Sequence, residues 1–552
     1  MTDRPWQRFY DWNVPETIRY PRILAHELIY IASTSFPDKP ATHFFGTEIS
    51  FWELRKQILR MANALAKAGV RKGDRVGVHL PNSPQYIISF YAVLHLGAIV
   101  VNLNPMYTPN ELEGLASDTG LSTLITFDMV LPNIKELCQK VEIKRVIVTR
   151  ITDYIEGFGK STPQELDLEE GWLHFSKMLD ESSDTRLPKV DIAFDDPALI
   201  QFTGGTTGLP KGAVLTHSNL VAGTMQCSLW GSATTGLTPV EKRNVMAILP
   251  YFHVYGTVVA LNWGMFNCAT QIIAPRFELD EIMNIIAGFD QITFFPAVPT
   301  MINAIINHPK AMEIELGKKL GLFNSGGGPM PTELIEQAKD MGISFSEGWG
   351  MSETTSLGIA NPLMGLRKAG SIGIPFPDTD VKLVDIETGT TEVPKGEPGE
   401  LIIRSPLVMK EYWNNPEETA NQLKDGWLYT GDIATRDDDD YFYIVDRKKD
   451  MIIAGGYNIY PREIDEVLYE HPKVADAVSV GVPDEYRGET VKAFVVLKPG
   501  ETATEEEIIE FCRKKLAAYK TPKAVEFRDE LPKSAVGKIL RKVLRQEELS
   551  KK

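Results

Sequence analysis

A ten-residue segment of this chain combines the residue types that bind phosphate groups. Residues 203–212 read Thr-Gly-Gly-Thr-Thr-Gly-Leu-Pro-Lys-Gly, so seven of the ten are glycine or threonine. Glycines let backbone N–H groups approach an anion closely, and threonine hydroxyls add further donors. Lys211 adds a positive charge on a flexible stem. The segment therefore predicts a loop that holds the phosphates of a nucleotide triphosphate.

The residue order differs from that of the common phosphate loop, Gly-x-x-x-x-Gly-Lys-Ser/Thr running into a helix. Here Pro210 precedes the lysine and Gly212 follows it. The flanking residues 198–202 and 213–216 are short, apolar runs, which is typical of strands. We expect a strand, the loop and a second strand, and a flexible surface hairpin is the alternative.

Two further segments follow strand-like stretches and supply complementary groups. Residues 325–330 (Ser-Gly-Gly-Gly-Pro-Met) offer backbone without side chains, and residues 348–354 contain Trp349 and Glu353. Open α/β sheets bind ligands at the carboxyl ends of their strands, where we expect both segments to lie. An aromatic face for a base and a carboxylate for Mg²⁺ are what a nucleotide site requires.

Three charged residues nearer the C-terminus complete the candidate set. Asp432, in Tyr-Thr-Gly-Asp, can accept hydrogen bonds from both ribose hydroxyls, and Arg447 offers a rigid fork of donors. Lys538 follows the flexible Gly537. Each of these alone is weak evidence, because an isolated Asp beside an apolar strand is usually a turn residue.

Length and composition describe an ordinary globular protein. The chain has 552 residues, of which 43% are hydrophobic and 24% are charged, which excludes a disordered or fibrous chain and predicts several structural units. The net charge of −16 opposes binding to nucleic acid. The four cysteines are too widely spaced for a Cys-x-x-Cys site. Together with an N-terminus unlike a secretion signal, they predict a cytoplasmic protein with reduced thiols.

Alternation of helical and strand-like stretches predicts an α/β fold. Residues 51–68 have a helical pattern and lead into a strand at residues 75–80, the βα order of mostly parallel sheets. The longest apolar run, residues 86–101, is interpreted as a helix begun by Pro84, a stop at Gly97 and a buried strand; a membrane span is the alternative. Residues 160–184 are predicted to be irregular.

The pattern changes near residue 380. Short alternating strands between Gly- and Asp-rich turns predict antiparallel β structure there. A compact α+β unit is expected after residues 446–450.

Five of these segments, in this order, resemble the adenylate-forming superfamily, which includes acyl-CoA synthetases, luciferases and the adenylation domains of peptide synthetases. They are residues 203–212, 348–354, 429–432, 446–450 and 532–541. The similarity extends from about residue 25 to residue 545. It implies a large N-terminal domain of βα-layered subdomains plus a β-rich subdomain over residues 1–448. A small, mobile α+β domain then covers residues 449–552.

The resemblance also implies roles for individual residues. Trp349 stands where the family usually has Tyr, and Ser352 where Thr is more frequent. Glu353 is the implied magnesium ligand, and Lys538, His253, Glu353 and Lys211 are the implied catalytic residues. The implied ATP contacts are Thr203, Gly204, Gly205, Thr206, Thr207, Gly208, Lys211, Gly326, Gly327, Gly328, Trp349, Gly350, Met351, Ser352, Glu353, Asp432, Arg447 and Lys538.

The implied reaction has two steps that share one site. A carboxylate attacks the α-phosphate of ATP to give an acyl-adenylate and pyrophosphate, and the thiol of CoA then displaces AMP. A hinge at Lys449 rotates the small domain between the steps, withdrawing Lys538 and bringing in Gly455 and Gly456 beside the CoA tunnel. His253 is implied to orient the carboxylate or gate CoA entry.

The identity of the acid is left open. The acyl pocket is expected around His253, Val254, Gly326 and Gly327, and residues 101–112 are most similar to those of bacterial and archaeal fatty acyl-CoA synthetases. A medium- to long-chain fatty acid is the main prediction. A cyclic or aromatic acid is the alternative, because the residues expected near the acyl channel are bulky: Phe252, Val254, Tyr255, Trp263 and Met265.

Other classes and partners are also considered. A loading module for a carrier protein is disfavoured, because no Gly-Gly-x-Ser carrier segment follows residue 545. A luciferase-type oxygenase and a nucleotide sensor are ranked lower. The expected partners are the carboxylate, ATP and CoA, with Mg²⁺; the resemblance allows a homodimer and peripheral contact with a membrane.

Overall fold

The fold is α/β, with a large N-terminal domain and a small C-terminal domain. The computed structural model describes residues 4–155, 166, 168–203, 210–328, 330, 332–454, 457–484, 486–534 and 539–551. Two compact units are found: Met1–Asp380 with Arg404–Gly426, and Val381–Ile403 with Trp427–Lys552. The domain boundary predicted at residue 449 stays a prediction.

The strands are β1 (Pro40–Phe44), β2 (Thr47–Ser50), β3 (Arg75–Val78), β4 (Ile99–Asn102), β5 (Thr123–Phe127), β6 (Arg145–Thr149), β7 (Leu173–His174), β8 (Pro197–Thr203), β9 (Lys211–Thr216), β10 (Asn244–Ala247), β11 (Thr270–Ile273), β12 (Ile292–Ala297), β13 (Leu320–Ser325), β14 (Phe345–Trp349), β15 (Ile359–Ala360), β16 (Ile374–Pro375), β17 (Asp380–Val384), β18 (Gly399–Arg404), β19 (Glu411–Tyr412), β20 (Leu423–Lys424), β21 (Trp427–Arg436), β22 (Phe442–Arg447), β23 (Ile452–Ala454), β24 (Tyr457–Ile459), β25 (Val474–Asp484), β26 (Gly488–Leu497) and β27 (Ala524–Phe527).

The α-helices are α1 (Tyr30–Ser35), α2 (Phe51–Lys67), α3 (Pro84–His95), α4 (Pro109–Thr119), α5 (Leu131–Lys140), α6 (Phe175–Glu181), α7 (His217–Thr235), α8 (Trp263–Phe266), α9 (Leu279–Gly288), α10 (Pro299–Ile306), α11 (Lys310–Glu313), α12 (Leu316–Lys319), α13 (Thr332–Asp340), α14 (Pro416–Gln422), α15 (Pro461–Tyr469), α16 (Glu505–Lys515) and α17 (Arg541–Ser550). A π-helix, Gly256–Asn262, precedes α8 directly.

Two mainly parallel sheets organise the first unit. One has the order β16-β15-β14-β13-β12-β10-β11-β1-β2, and its central strands β11, β10, β12, β13 and β14 run parallel. The other has the order β19-β9-β8-β4-β3-β5-β6-β7, parallel from β8 to β7. Each sheet packs apolar side chains against its helices in a separate core cluster. The carboxyl ends of β8, β13 and β14 carry the predicted loops.

The second unit is richer in antiparallel structure. Strands β17, β18, β21 and β22 form one antiparallel sheet. Strands β23 to β26 pair antiparallel in another, to which β27 adds in parallel. The change of pattern predicted near residue 380 is confirmed.

Local signals in the sequence account for several element boundaries. Ser50 caps α2, accepting from the Glu53 N–H at 3.2 Å, and Gly69 beyond its end has φ +95°. Pro84 is the first residue of α3, and Gly97 after it has φ +61°. The apolar run is therefore a buried helix and a strand, as predicted. None of the described helices is long and apolar enough to cross a bilayer.

The prediction that residues 160–184 are irregular was wrong in part. Within the stretch predicted to be irregular, residues 173–181 form β7 and α6. Phe175 and Leu179 are buried there, one helical turn apart. The spacing of these two apolar residues is typical of a helix, but the surrounding residues are polar and the pattern was overlooked.

Candidate active site

The predicted phosphate loop connects two paired strands. Strands β8 and β9 run antiparallel, and Thr203 is the cross-strand neighbour of Lys211, so the two predicted flanking strands are confirmed. Residues 204–209 lie outside the described residues. Gly212 is needed in β9, because a Cβ there would lie 2.8 Å from Cγ2 of Ile200. The pairing with Thr203 fixes the backbone of Lys211 at the start of β9.

Strand β19 adds to the outer side of β9 and carries Tyr412. The register pairs Tyr412 with Ala213. Lys211 forms an ion pair with Glu418 of α14, and its Nζ lies 5.4 Å from the centroid of the Tyr412 ring. The lysine of the loop is thus held between a carboxylate and an aromatic ring.

Glu353 lies in a tight turn after β14. The strand extends to Trp349, so Gly348 and Trp349 are strand residues paired with β15, where a loop had been expected. Gly350 has no room for a side chain, since a Cβ would lie 2.0 Å from the carbonyl oxygen of Ser356. Residues Thr355 and Ser356 adopt the left-handed conformation, with φ 52° and 75°. This compact turn leaves Glu353 6% exposed.

The same Tyr412 contacts Glu353. Its hydroxyl donates to Oε1 of Glu353 at 2.7 Å, and the N–H of Met409 donates to the Glu353 carbonyl oxygen at 2.7 Å. Burial, and then the negative charge of Glu353, raise the pKa of the Tyr412 phenol well above its usual value. The phenol therefore stays protonated and acts as a donor to the carboxylate.

The chemistry of this carboxylate fits Mg²⁺ accompanying a nucleotide. Mg²⁺ is usually held by one or two carboxylates, water and substrate phosphates. Glu353 offers a hard oxygen donor, linked through Tyr412 to the lysine of the phosphate loop. Among the described residues, no cluster of three or more His, Cys, Asp or Glu side chains could hold a metal, so phosphate oxygens and water would have to complete the shell.

The glycine loop after β13 packs against Tyr255. A Cβ on Gly326 would lie 3.0 Å from Cζ and Oη of that ring. The Tyr255 hydroxyl donates to Oδ1 of Asn324 at 2.7 Å, which holds the ring in place. Gly327 has φ +81°, and a Cβ on Gly328 would come no closer than 3.8 Å to Pro299. The Tyr255 ring therefore limits the space for a side chain at Gly326, the first glycine of the loop.

His253 precedes the helix that carries Tyr255. It is half-buried, and its Nδ1 accepts the backbone N–H of Tyr255 at 3.2 Å. In the neutral imidazole the proton is then on Nε2, which is suited to donate to a carboxylate.

A buried polar network holds the turn that contains His253. Asn82 donates to the carbonyl oxygens of Ala247 and Leu249 and accepts the N–H of Tyr251, all within 3.0 Å. Gln201 on β8 donates to the Phe252 carbonyl oxygen at 3.1 Å. The turn is therefore tied to the strand that leads into the phosphate loop.

The bulky residues expected near the acyl channel belong mostly to the core. Val254, Trp263 and Met265 have at most 1% of their surface exposed, and Trp263 packs against Phe294 at a ring distance of 4.6 Å. Of the bulky set, Tyr255 has its ring beside Gly326 of the glycine loop.

The second unit brings two predicted nucleotide contacts together. Asp432 on β21 is the cross-strand neighbour of Arg447 on β22, and Nε of Arg447 lies 3.3 Å from Oδ1 of Asp432. Gly431 beside it has φ +70°. A carboxylate and a guanidinium are thus presented on adjacent strands.

Lys449 lies in the turn between β22 and β23. The backbone N–H groups of Asp450 and Met451 both donate to the carbonyl oxygen of Arg447. Asp446, at the start of this turn, accepts the N–H of Arg462 in α15 at 2.8 Å. Gly455, Gly456 and Lys538 lie outside the described residues, so their predicted roles stay predictions.

Comparison with known proteins decides the family. Residues 31–413 match the family described as AMP-binding enzyme, and residues 463–538 match the AMP-binding enzyme C-terminal domain. The chain belongs to the AMP-binding enzyme family. A long-chain-fatty-acid–CoA ligase of Bacillus subtilis (strain 168) is 41% identical over 99% of both chains.

Solved structures of this family have the same fold. The anthranilate CoA ligase AuaEII in complex with anthranoyl-AMP superposes with a TM-score of 0.84 and 28% identity, over 97% of this chain and 99% of that one. ATP-bound MatB from Rhodopseudomonas palustris gives 0.83 and 28%, over 95% and 99%. The predicted superfamily and the activity class, an AMP-forming acyl-CoA ligase, are confirmed.

Sequence reasoning missed several residues of this AMP-binding enzyme that support the site. Tyr412 donates a hydrogen bond to Glu353, and Glu418 forms an ion pair with Lys211. Asn82 holds the turn that contains His253. The run Tyr-Trp-Asn-Asn-Pro-Glu-Glu-Thr at residues 412–419 was a signal, since aromatic and acidic residues precede a Pro at a helix start.

Proposed function

We propose that this enzyme activates a medium- to long-chain fatty acid with ATP and Mg²⁺ and transfers the acyl group to CoA. Similarity along the whole chain to a long-chain-fatty-acid–CoA ligase carries the proposal. The arrangement of Lys211, Tyr412 and Glu353 supports it, because it combines a phosphate-binding cation with a carboxylate suited to a metal. A cytoplasmic location and a homodimeric state are part of the proposal.

In the first step the fatty acid carboxylate attacks the α-phosphorus of ATP, forming a P–O bond as the bond to pyrophosphate breaks. Lys211 and the loop donors bind the triphosphate, and Asp432 and Arg447 bind the ribose. Glu353 would hold Mg²⁺, which would neutralise charge on the phosphoryl oxygens. Lys538 stabilises the same oxygens, and the Nε2–H of His253 orients the attacking carboxylate.

In the second step the thiol sulfur of CoA attacks the acyl carbon, and the C–O bond to AMP breaks. We place a hinge at Lys449, where the turn joins β22 to β23. Rotation there withdraws Lys538, and Gly455 and Gly456 then offer a wall without side chains to the pantetheine arm. Two chemistries thus share one site.

The test is a pair of assays on the purified full-length chain. Pyrophosphate release is measured with and without each acid of a chain-length series, and AMP formation is measured with and without CoA. We expect both to depend on the acid and kcat/KM to be highest for medium or long chains. Absence of both activities with fatty and aromatic acids would overturn the proposal.

An aromatic acid is the second candidate substrate. It is favoured by the close packing of the Tyr255 ring on Gly326, which offers a flat wall, and by the likeness to an anthranilate CoA ligase. The same assays with benzoate and anthranilate discriminate between the two. A higher kcat/KM for these than for any fatty acid would favour it.

A further inference from the structure

The segment from Met409 to Thr419 bonds to both halves of the proposed triphosphate site. At one end, the N–H of Met409 reaches the carbonyl oxygen of Glu353 at 2.7 Å. At the other, the N–H of Trp413 reaches the carbonyl oxygen of Gly212, next to Lys211, at 2.7 Å. The backbone of the segment therefore connects the turn of the metal ligand to the base of the phosphate loop.

Tyr412 lies in the middle of this segment and contacts both functional side chains. It is 4% exposed; its hydroxyl binds Oε1 of Glu353 at 2.7 Å and its ring faces the Lys211 ammonium. Its backbone is fixed in turn, since its N–H donates to Oγ1 of Thr419 at 2.9 Å. The residue has little freedom to move independently of either partner.

We propose that Tyr412 is a positioning residue for MgATP: its hydroxyl orients the Glu353 carboxylate toward the metal, and its ring holds the Lys211 ammonium over the phosphates. This rests on the proposed function. When one oxygen of a carboxylate accepts a hydrogen bond from a phenol O–H, rotation of the carboxylate is restrained. Its remaining lone pairs then point in a fixed direction. A cation over an aromatic face is restrained in the same way.

Glu418 completes the arrangement on the side of the lysine. It is the third residue of α14, whose N-cap Asn415 accepts the N–H of Glu418 at 3.1 Å, and its carboxylate pairs with Lys211. This carboxylate neutralises charge on the Lys211 ammonium from the side of α14. Tyr412 and Glu418 both contact Lys211, whereas the Tyr412 hydroxyl also binds Glu353. Removing that hydroxyl therefore tests the carboxylate separately from the lysine.

The decisive variant is Tyr412→Phe, which keeps the ring under Lys211 and removes the single O–H. Pyrophosphate release is measured as a function of Mg²⁺ at fixed ATP. We expect the Mg²⁺ concentration for half-maximal rate to rise about 10-fold or more, the usual effect of removing a group that orients a metal ligand. The rate at saturating Mg²⁺ should recover most of the loss. Thioester formation from preformed acyl-AMP, which needs no triphosphate, should stay within about twofold of the wild-type rate.

A matched control is Tyr469→Phe, which also removes a phenol that donates to a carboxylate, that of Asp476, in the other unit. It should leave the Mg²⁺ dependence unchanged. If Tyr412→Phe lowers both half-reactions equally together with the melting temperature, or leaves the Mg²⁺ dependence as in the wild type, the positioning role is wrong. If the variant does not fold, Glu418→Gln tests the lysine side, where a change in the KM for ATP without a change in the Mg²⁺ dependence is expected.

Failure of the proposed function gives a different result. If the wild-type enzyme releases no pyrophosphate with any acid, calorimetric titration of MgATP still compares it with Tyr412→Phe. Weaker MgATP binding by the variant would support the positioning role without the acyl reaction. A wild-type chain that does not bind MgATP would overturn both proposals.

Discussion

Asp432 and Arg447 face each other directly across β21 and β22, with Nε of Arg447 3.3 Å from Oδ1 of Asp432. The carboxylate is almost buried, at 9% side-chain exposure, whereas the guanidinium is 36% exposed. The pair helps to orient the Asp432 carboxylate. A ligand with adjacent hydroxyl groups can then bind to an acceptor that is already oriented.

Asp432→Asn should weaken nucleotide binding, because the amide replaces one acceptor oxygen by a donor and removes the charge that orients Arg447. We expect the KM for ATP to rise by roughly 10-fold or more, by the size of hydrogen bonds to charged groups. The acid KM should change little. Steady-state pyrophosphate release measures both. Glu392→Gln, which removes the charge of one of the carboxylates paired with Arg436 in the same unit, should behave as the wild type. A larger effect of Asp432→Asn on the acid KM than on the ATP KM would contradict the ribose assignment.

Lys538→Ala and Lys449→Pro should each slow a different half-reaction. Loss of the lysine should slow adenylate formation far more than thioester formation from preformed acyl-AMP. Proline in the turn after Arg447 should do the reverse, because it stiffens the backbone of the proposed hinge. Single-turnover assays of each step test this division, and equal effects of either variant on both steps would argue against it.

Gly326→Ala should reduce the chain length of the acids that the enzyme accepts. The new Cβ would lie 3.0 Å from the Tyr255 ring, and that ring is held by its bond to Asn324. Since one methylene in a tight pocket changes discrimination by about 10- to 200-fold, we expect kcat/KM for long chains to fall by at least 10-fold relative to short ones. Gly114→Ala, on a helix where a Cβ meets nothing within 4 Å, is the control. A uniform fall across chain lengths would place the acyl pocket elsewhere.

Stability should decrease as the pH falls below about 6.5, because of buried histidines. Burial lowers the pKa of His95 to about 3 and of His217 to about 4, and lowers that of His26 well below its usual value. The rings of His26 and His95 lie 4.1 Å apart. Between the unfolded pKa of 6.5 and these folded values the unfolded chain binds more protons, so the free energy of unfolding falls with falling pH.

The measurement is denaturant unfolding at a series of pH values from 7 to 4.5. Replacing one buried histidine by a side chain that cannot titrate, as in His95→Phe, should reduce the slope by up to about 1.4 kcal/mol per pH unit. His43, which is partly exposed and paired with Glu48, provides the control His43→Gln. An unchanged slope in His95→Phe would show that this ring does not contribute.

How far the sequence predicted the site depended on whether neighbouring residues carried the information. Strands β8 and β9 could be predicted, because their apolar runs flank a continuous segment of glycines, threonines and Lys211. The phosphate-binding role of that segment stays a prediction. Asp432 and Arg447 are only 15 residues apart, on the two strands of a hairpin. Their pairing was still not predicted, because the register of a hairpin is set by the geometry of its turn.

Contacts between distant residues could not be predicted in this way. Tyr412 is 59 residues from Glu353, and Glu418 is 207 residues from Lys211. A buried Tyr and an acidic residue at a helix start have many ordinary roles, so neither type specifies its partner. The contact depends on β19 joining β9, a long-range pairing that leaves little trace in the local pattern.

The cross-strand pairing of Thr203 and Lys211 has a consequence for engineering the enzyme. Because the chain leaves and re-enters the sheet at neighbouring positions, residues inserted or deleted between them would change the length of the connection without displacing either anchor. The entropy of closing such a loop grows slowly with its length. The length of this stretch can therefore be varied in engineered enzymes while Lys211 keeps its place in the sheet.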